Sequence, residues 1–336
     1  MRQHIGDQKI SLTGMVLNND QNAPHQMAIG RKPSWIRATA PGGPDFLKTK
    51  ALIEAHGLHT VCQEASCPNI GECWSRGTAT IMILGDTCTR SCGFCNVKTG
   101  RPTVTDLEEP RRVAELLAQV ALKHVVITSV DRDDLPDGGA AIWAETVHRV
   151  HAACPEMSLE TLVGDFKGVK ADVTTVIESR PEILAHNVET VQRMHPAVRP
   201  QADYDRSLQV LAWIREAGLV AKTSIMVGIG ETDEEVHEVM ADIRTRANTD
   251  ILTIGQYLQP TRNHLPIDRW VTPEQFDSYR RIGLDMGFKV VESGPLVRSS
   301  YHAEEQAEKL SPAGRETASA MEAILAHATD RRANSA

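Results

Sequence analysis

The sequence predicts an α/β fold, a partial (β/α)6-type barrel left open on one side and extended at both ends. Three observations carry this expectation. From residue 79 onward, short β-branched runs alternate with amphipathic stretches at the spacing of βα units, which implies a parallel sheet. The units number six and end on a further strand, short of the eight that close a barrel. The chemically suggestive segments of this region each follow the end of an expected strand, where parallel barrels gather their sites.

Taken in chain order, residues 1–45 form a polar, Gly/Pro-punctuated arm ending in Pro41-Gly42-Gly43-Pro44. A basic segment, Arg31 to Arg37, surrounds Trp35 within it and is either a solvated tail or a docking element. Residues 46–78 open with a helix predicted over 45–57 and continue with three cysteines among turn formers. Residues 79–302 hold the barrel. Strands are expected at 79–84, 124–129, 158–162, 183–187, 221–226, 251–254 and 288–292. Helices are expected at 110–122, 139–153, 170–179, 205–217, 233–247 and 273–286. Residues 303–336 are polar and Ala-rich, a helix followed by a tail.

Composition narrows the function. A net charge of −8 over 336 residues disfavours a large nucleic-acid surface, because phosphate binding needs clustered Lys and Arg. No run of about 18 apolar residues is present to span a membrane, and the N-terminus lacks an apolar signal core. A cytoplasmic, reducing location is therefore expected. There, seven cysteines in clustered spacing read as metal ligands or catalytic groups rather than disulfides.

Cys88, Cys92 and Cys95 form a C-x3-C-x2-C loop after the first expected strand. Three thiolates on one loop can hold three irons of a [4Fe–4S] cluster, which ordinarily takes four cysteines, so one iron stays open to a small molecule. Zinc is the alternative, although it favours paired C-x2-C elements. Cys62, Cys67 and Cys73 form a second triad, C-x4-C-x5-C, moderately specific on its own, with a redox or zinc knuckle as the lesser alternative. Cys154, before Pro155, has no partner nearby and reads as a structural thiol.

The first loop resembles the signature of the radical S-adenosylmethionine (SAM) superfamily, down to the aromatic Phe94 before the last cysteine. The two triads together, the second standing fifteen residues before the first, closely resemble the lipoyl synthases. The likeness runs over roughly residues 31–302 and includes Lys32-Pro33-Ser34-Trp35 and Arg298-Ser299-Ser300-Tyr301. It implies two [4Fe–4S] clusters: a radical cluster on Cys88, Cys92 and Cys95 that chelates SAM, and an auxiliary cluster on Cys62, Cys67 and Cys73 closed by a serine. Adjacent serines in extended chain face opposite ways, and motif position favours Ser300.

The resemblance also implies a reaction. A deoxyadenosyl radical removes hydrogen from carbon six, and then from carbon eight, of an octanoyl chain carried on a protein lysine. Sulfur from the auxiliary cluster is added at each. Two SAM molecules are used per lipoyl group. The implied partners are octanoylated lipoyl carrier domains (2-oxoacid dehydrogenase subunits and the glycine cleavage H protein), a ferredoxin- or flavodoxin-type electron donor, and cluster-delivery proteins.

SAM needs charge partners for its methionyl end, acceptors for its ribose hydroxyls and a flat slot for adenine. Asn187 and Glu189 follow a strand, and Glu189 could accept both ribose protons; without the resemblance they read as a helix cap and a surface acid. Ser129 lies where relatives bind the SAM amino group, and Arg199 suits its carboxylate. Gly228 would admit the nucleoside, in a segment, Ser224–Glu231, that departs from the superfamily's G-x-I-x-G-x-x-E at its first and third positions. Gln256, Tyr257 and Leu258 would line the adenine slot, while Arg132, Asp133 and Asp134 could equally be a solvated loop.

Two rivals are weighed. A radical SAM methylthio-transferase acting on tRNA also has three upstream cysteines, but it would bring a longer N-terminal domain and a basic RNA-binding module. A non-catalytic iron–sulfur carrier would need none of the loops after the later strands.

Overall fold

A computed structural model describes residues 31–76, 78–120 and 122–310. The arm's first thirty residues and the tail beyond Leu310 lie outside the described residues. The strands are β1 (His59–Thr60), β2 (Thr80–Ile83), β3 (Thr87–Cys88), β4 (Lys98–Thr99), β5 (His124–Ser129), β6 (Ser158–Leu162), β7 (Ile183–Ala185), β8 (Val220–Val227), β9 (Ile251–Gln256) and β10 (Val290–Gly294). The helices are α1 (Pro44–Ala55), α2 (Val61–Glu64), α3 (Ile70–Ser75), α4 (Glu109–Leu117), α5 (Ala140–Ala153), α6 (Lys170–Glu178), α7 (His195–Val198), α8 (Tyr204–Glu216), α9 (Asp233–Ala247), α10 (Pro273–Asp285) and α11 (Ala303–Leu310).

One sheet runs in the order β1-β2-β5-β6-β7-β8-β9-β10. All its neighbours from β2 to β10 are parallel, and β1 is an antiparallel edge on β2. The two ends of the sheet do not pair, so the six βα units and last strand make an open partial barrel, as expected. Strands β2, β7 and β9 are buried along their whole length, as parallel strands covered on both faces must be. Val125, Ile127, Trp143, Val147 and Val150 belong to the helix-side core. At the opposite end of the strands, Ala307 and Leu310 of α11 pack on Ile183, Ile251 and Val290.

Strands at 124–129 and 158–162 match expectation and the others shift by one or two residues, two of them for a clear local reason. The last strand starts at Val290 rather than 288. Gly287 ends α10 at φ +91° and the Phe288 N–H donates to the Gly283 carbonyl, so those residues belong to a helix C-cap. The strand at 183 stops at Ala185, but pairing resumes where Glu189 bridges Ile225. Glu189 sits at φ +71°, unusual for a residue with a side chain.

The segment at 31–43 lies against the body: Ile36 is buried, and a Cβ on Gly71 would fall 2.4 Å from the Thr39 carbonyl oxygen. Trp35 remains 40% exposed. No helix among the described residues is long and apolar enough to cross a membrane.

Candidate active site

The triad of Cys62, Cys67 and Cys73 is built by two short helices and the turn between them. Thr60 caps α2, its hydroxyl accepting from the Gln63 N–H, and this sets Cys62 on the first turn. The Cys67 N–H donates back to the Cys62 carbonyl at 3.0 Å, and Cys73 follows on α3, its carbonyl accepting from the Thr78 N–H and hydroxyl. The three thiols are close enough to oppose one another's ionisation. Burial, then the Cys62 and Cys67 charges, push Cys73 up to about 12, and burial also raises Cys62.

All three cysteines line one cavity together with Arg298, Ser300 and Tyr301. Ser299 is absent from its wall. The chain at these serines is not extended. The Tyr301 N–H donates to the Arg298 carbonyl at 3.0 Å, closing a turn with Ser299 and Ser300 at its corners. Strand-like alternation therefore does not separate the two serines; the turn does, by setting Ser300 and not Ser299 on the wall of the cavity that the thiols line.

The triad of Cys88, Cys92 and Cys95 follows the C-terminal end of β2, with Cys88 on β3. Burial and mutual repulsion push Cys92 up to about 12 and Cys95 up to about 11, and burial raises Cys88. The loop is held from several sides. Thr89 donates through N–H and hydroxyl to the Asp131 carbonyl, both at 2.9 Å. Gly93 donates to Val198 and accepts from Leu265, and His264 Nε2 lies 2.9 Å from the Cys95 carbonyl. Phe94 packs on the core.

The residues proposed for SAM converge only in part. Asn187 Nδ2 donates to Glu189 Oε1 at 3.0 Å, while Asn187 Oδ1 is buried with no partner. Burial raises the Glu189 carboxyl against the opposing charges of Arg199 and Arg298. Arg199 is buried, its Nη1 donating to the Asn187 carbonyl at 2.8 Å, and its charge reaches Cys92, Asp131 and Glu189. Ser129 ends β5 and lines a small cavity with Asp131 and Gly164.

Other side chains are already engaged. Gln256 Nε2 donates to the carbonyls of Val227, Tyr257 and Arg269, and its Oε1 accepts from the Val271 N–H. The Tyr257 hydroxyl donates to the Leu265 carbonyl at 2.8 Å. These two brace the loop in which Leu258 stands half-buried. A Cβ on Gly228 would meet Gln256 Nε2 at 2.1 Å, so that glycine is required by the brace itself. Arg132 is buried and bonded to Thr105 and Asp134, which makes 132–134 a structural knot, not a solvated loop.

Comparison with known proteins identifies the family. Residues 82–243 match the radical SAM superfamily. The lipoyl synthase of Rubrobacter xylanophilus is 54% identical over 289 residues, 85% of this chain and 90% of that one. The chain belongs to the lipoyl synthase family. The family's mitochondrial member from Nematostella vectensis is 52% identical, covering 81% of this chain and 94% of its own. Among solved structures, methylornithine synthase superposes with a TM-score of 0.44 at 16% identity, over 66% of this chain and 73% of that one; that likeness adds nothing to the assignment.

Membership makes the chain a radical SAM, sulfur-inserting enzyme, which implies a [4Fe–4S] cluster and SAM. The residues fit such groups. Among the described residues no three His, Cys, Asp or Glu side chains close on a single ion, whereas a cluster takes one thiolate on each of several irons. Buried thiols that repel one another's charge need a cationic centre to hold them ionised. The unpartnered Asn187 Oδ1 needs a donor, which SAM can supply through a hydroxyl or its amino group.

Some residues that shape the site were not singled out from the sequence. Arg90, inside the Cys88–Cys95 loop, is buried and bonds Asp133 and Asp165 while lying 3.7 Å from Asp131. Asp165 follows the end of β6, and its position after a strand was the available signal. Glu231 is buried and accepts from the N–H groups of Gly228, Ile229 and Gly230, with Arg269 at 3.3 Å.

Proposed function

We propose that this chain builds lipoyl groups with two clusters, the first held by Cys88, Cys92 and Cys95 and the second by Cys62, Cys67, Cys73 and Ser300. The observation that carries this reading is the cavity shared by the second triad and Ser300, separate from the loop that adjoins Asn187, Glu189 and Arg199. When bound at the first triad, cluster and SAM together supply a deoxyadenosyl radical. The protein's part is to orient and enclose. Arg199 would take the SAM carboxylate, Asn187 and Glu189 the ribose, and Ser129 with Asp131 the amino group.

The second cluster is a substrate, supplying both sulfurs to carbons six and eight of an octanoyl-lysine on a lipoyl carrier domain. The carriers are 2-oxoacid dehydrogenase subunits and the glycine cleavage H protein, and a ferredoxin or flavodoxin supplies electrons. The open side of the barrel, where β10 does not meet β1, suits entry of a tethered chain.

The test separates the triads. Cys88→Ala, Cys92→Ala or Cys95→Ala should abolish 5′-deoxyadenosine formation and leave one cluster's iron. Cys62→Ala, Cys67→Ala or Cys73→Ala should still cleave SAM and form no carbon–sulfur bond on an octanoyl-lysyl peptide. Thiolated peptide from the Cys67→Ala enzyme would remove the second triad as sulfur source.

A further inference from the structure

The turn bearing Ser300 is fastened to the segment that bears Cys67 and Cys73, and it is fastened at both ends. Upstream of the serine, Asn69 Nδ2 donates to the Leu296 carbonyl at 2.7 Å, and Asn69 is only 2% exposed. Downstream, the Tyr301 hydroxyl donates to the Glu72 carboxylate, 3.2 Å from Oε1 and 3.3 Å from Oε2. Both acceptors and donors on the cysteine side lie between Cys67 and Cys73, Asn69 as the residue before α3 and Glu72 within its first turn.

The surroundings tighten the same loop. The His302 ring stacks on Tyr301 with centroids 4.0 Å apart, and its Nε2 lies 3.5 Å from Glu72 Oε1 and 3.1 Å from Arg76 Nη1. The Val297 N–H donates to the Gly294 carbonyl at 3.1 Å. The Val297 carbonyl presses on β9 so closely that a Cβ on Gly255 would lie 2.0 Å from it. Between the two anchors only Val297, Arg298, Ser299 and Ser300 remain.

We infer that Asn69 and Glu72 are positioning residues that hold the Ser300 hydroxyl in register with the three thiols. The inference rests on the reading of Ser300 as the fourth ligand. A neutral hydroxyl is a weak, hard partner for an iron–sulfur centre, so its presence at the open iron depends on being held there. Anchors on the cysteine segment itself keep thiols and hydroxyl in one frame, whatever the barrel does. The sheet alone would leave that distance to elements more than two hundred residues apart in sequence, as Asn69 and Leu296 are (227 residues). Loss of either anchor frees one end of a four-residue span, and the hydroxyl then samples positions away from the thiols.

The test compares Asn69→Ala, Glu72→Ala, Glu72→Gln and Tyr301→Phe with Ser300→Ala in the full chain. One readout is amide hydrogen exchange over 296–303 in the metal-free protein; another is sulfur insertion against 5′-deoxyadenosine formation in the reconstituted enzyme. Asn69→Ala, Glu72→Ala and Tyr301→Phe should speed exchange there about tenfold, the effect of one lost hydrogen bond, with β5 and β6 unchanged. Insertion should fall about as far while SAM cleavage stays within about twofold. Glu72→Gln still accepts from Tyr301 and should recover both.

If Ser300→Ala loses insertion while Glu72→Ala and Tyr301→Phe keep normal exchange and insertion, the anchors are ordinary packing and the serine reading survives alone. If Ser300→Ala inserts sulfur normally, the serine reading fails and the positioning role falls with it. Should Asn69→Ala fail to fold, Tyr301→Phe, which removes only a hydroxyl, decides the matter.

Discussion

Arg90→Ala should destabilise the metal-free protein by about 4 kcal/mol and stop SAM cleavage. The guanidinium is 2% exposed. Its Nε and Nη2 donate to the two oxygens of Asp133 at 2.8 and 2.9 Å, and Nη2 reaches Asp165 at 2.6 Å. A hydrogen bond to a charged group contributes about 1.5–3 kcal/mol. Asp165 is fully buried and counts near the upper figure, whereas Asp133 is 24% exposed and each of its bonds is discounted to about 1 kcal/mol. The sum, about 4–5 kcal/mol, agrees with the cost of about 3–5 kcal/mol for removing one partner of a buried pair. Arg206, 3.2 Å from the other Asp165 oxygen, keeps the figure at the low end.

The same variant should change how stability responds to acid. Burial raises the Asp165 carboxyl, but the Arg90 bond and charge outweigh it and, with His186 and Arg206, hold it at about 2. In the wild type this carboxylate therefore stabilises the fold above about pH 4 and loses its contribution as pH falls from about 4 to about 2. In Arg90→Ala only His186 and Arg206 are left to oppose burial, the carboxyl rises, and protonation relieves part of the cost of a less well paired buried charge. The deficit should then shrink between about pH 8 and about pH 5. Urea unfolding at the two pH values measures it. A deficit below about 1 kcal/mol, or the same deficit at both pH values with normal 5′-deoxyadenosine formation, would refute the argument.

Two further outcomes follow from the geometry. His186 and His195 are buried bases lowered to about 4, by burial first and the Arg199 charge second. Each takes up a proton only on unfolding, so stability should fall as pH drops from about 6.5 to about 4, by about 3 kcal/mol per imidazole; His186→Asn should flatten the slope of urea midpoint against pH. Gly255→Ala would set a methyl 2.0 Å from the Val297 carbonyl. It should cost about 1–3 kcal/mol and lose sulfur insertion before SAM cleavage, as read by product mass spectrometry against deoxyadenosine.

The regular barrel was legible because its signals are local. β9 and β5 are β-branched runs of the right length, and α9 opens with a Thr232–Glu235 capping box that any reader of the sequence meets in place. The six cysteines were legible by spacing. What escaped depends on partners distant in sequence. Arg90 sits in plain view between two cysteines, yet its meaning lies in Asp133 and Asp165, which only the fold brings to it. Gln256 and Tyr257 show the converse: their place at a strand end suggested a ligand slot, while the fold uses their polar atoms internally. Extended geometry suggests that only one of Ser299 and Ser300 reaches the thiols and motif position favours Ser300, whereas in the fold it is a turn that separates the two.

The two triads are also fixed relative to each other by contacts that bypass the sheet. Asn96, the residue after Cys95, donates through Nδ2 to the Glu64 carbonyl and to the Ser66 hydroxyl, both at 3.1 Å and both between Cys62 and Cys67. Arg298 stands between the sites: burial lowers its guanidinium while the Cys67 and Glu189 charges raise it. A cation there opposes the build-up of negative charge on the thiol side and on the carboxylate proposed for the ribose at once. It also keeps two acidic centres from repelling each other across a short gap. This placement explains why the loop ending in Ser300 has to be set accurately. A shift that moved the serine from the thiols would carry Arg298 with it, two residues away in the same turn. Glu189 keeps the Arg199 charge in that movement, so SAM cleavage should outlast sulfur insertion.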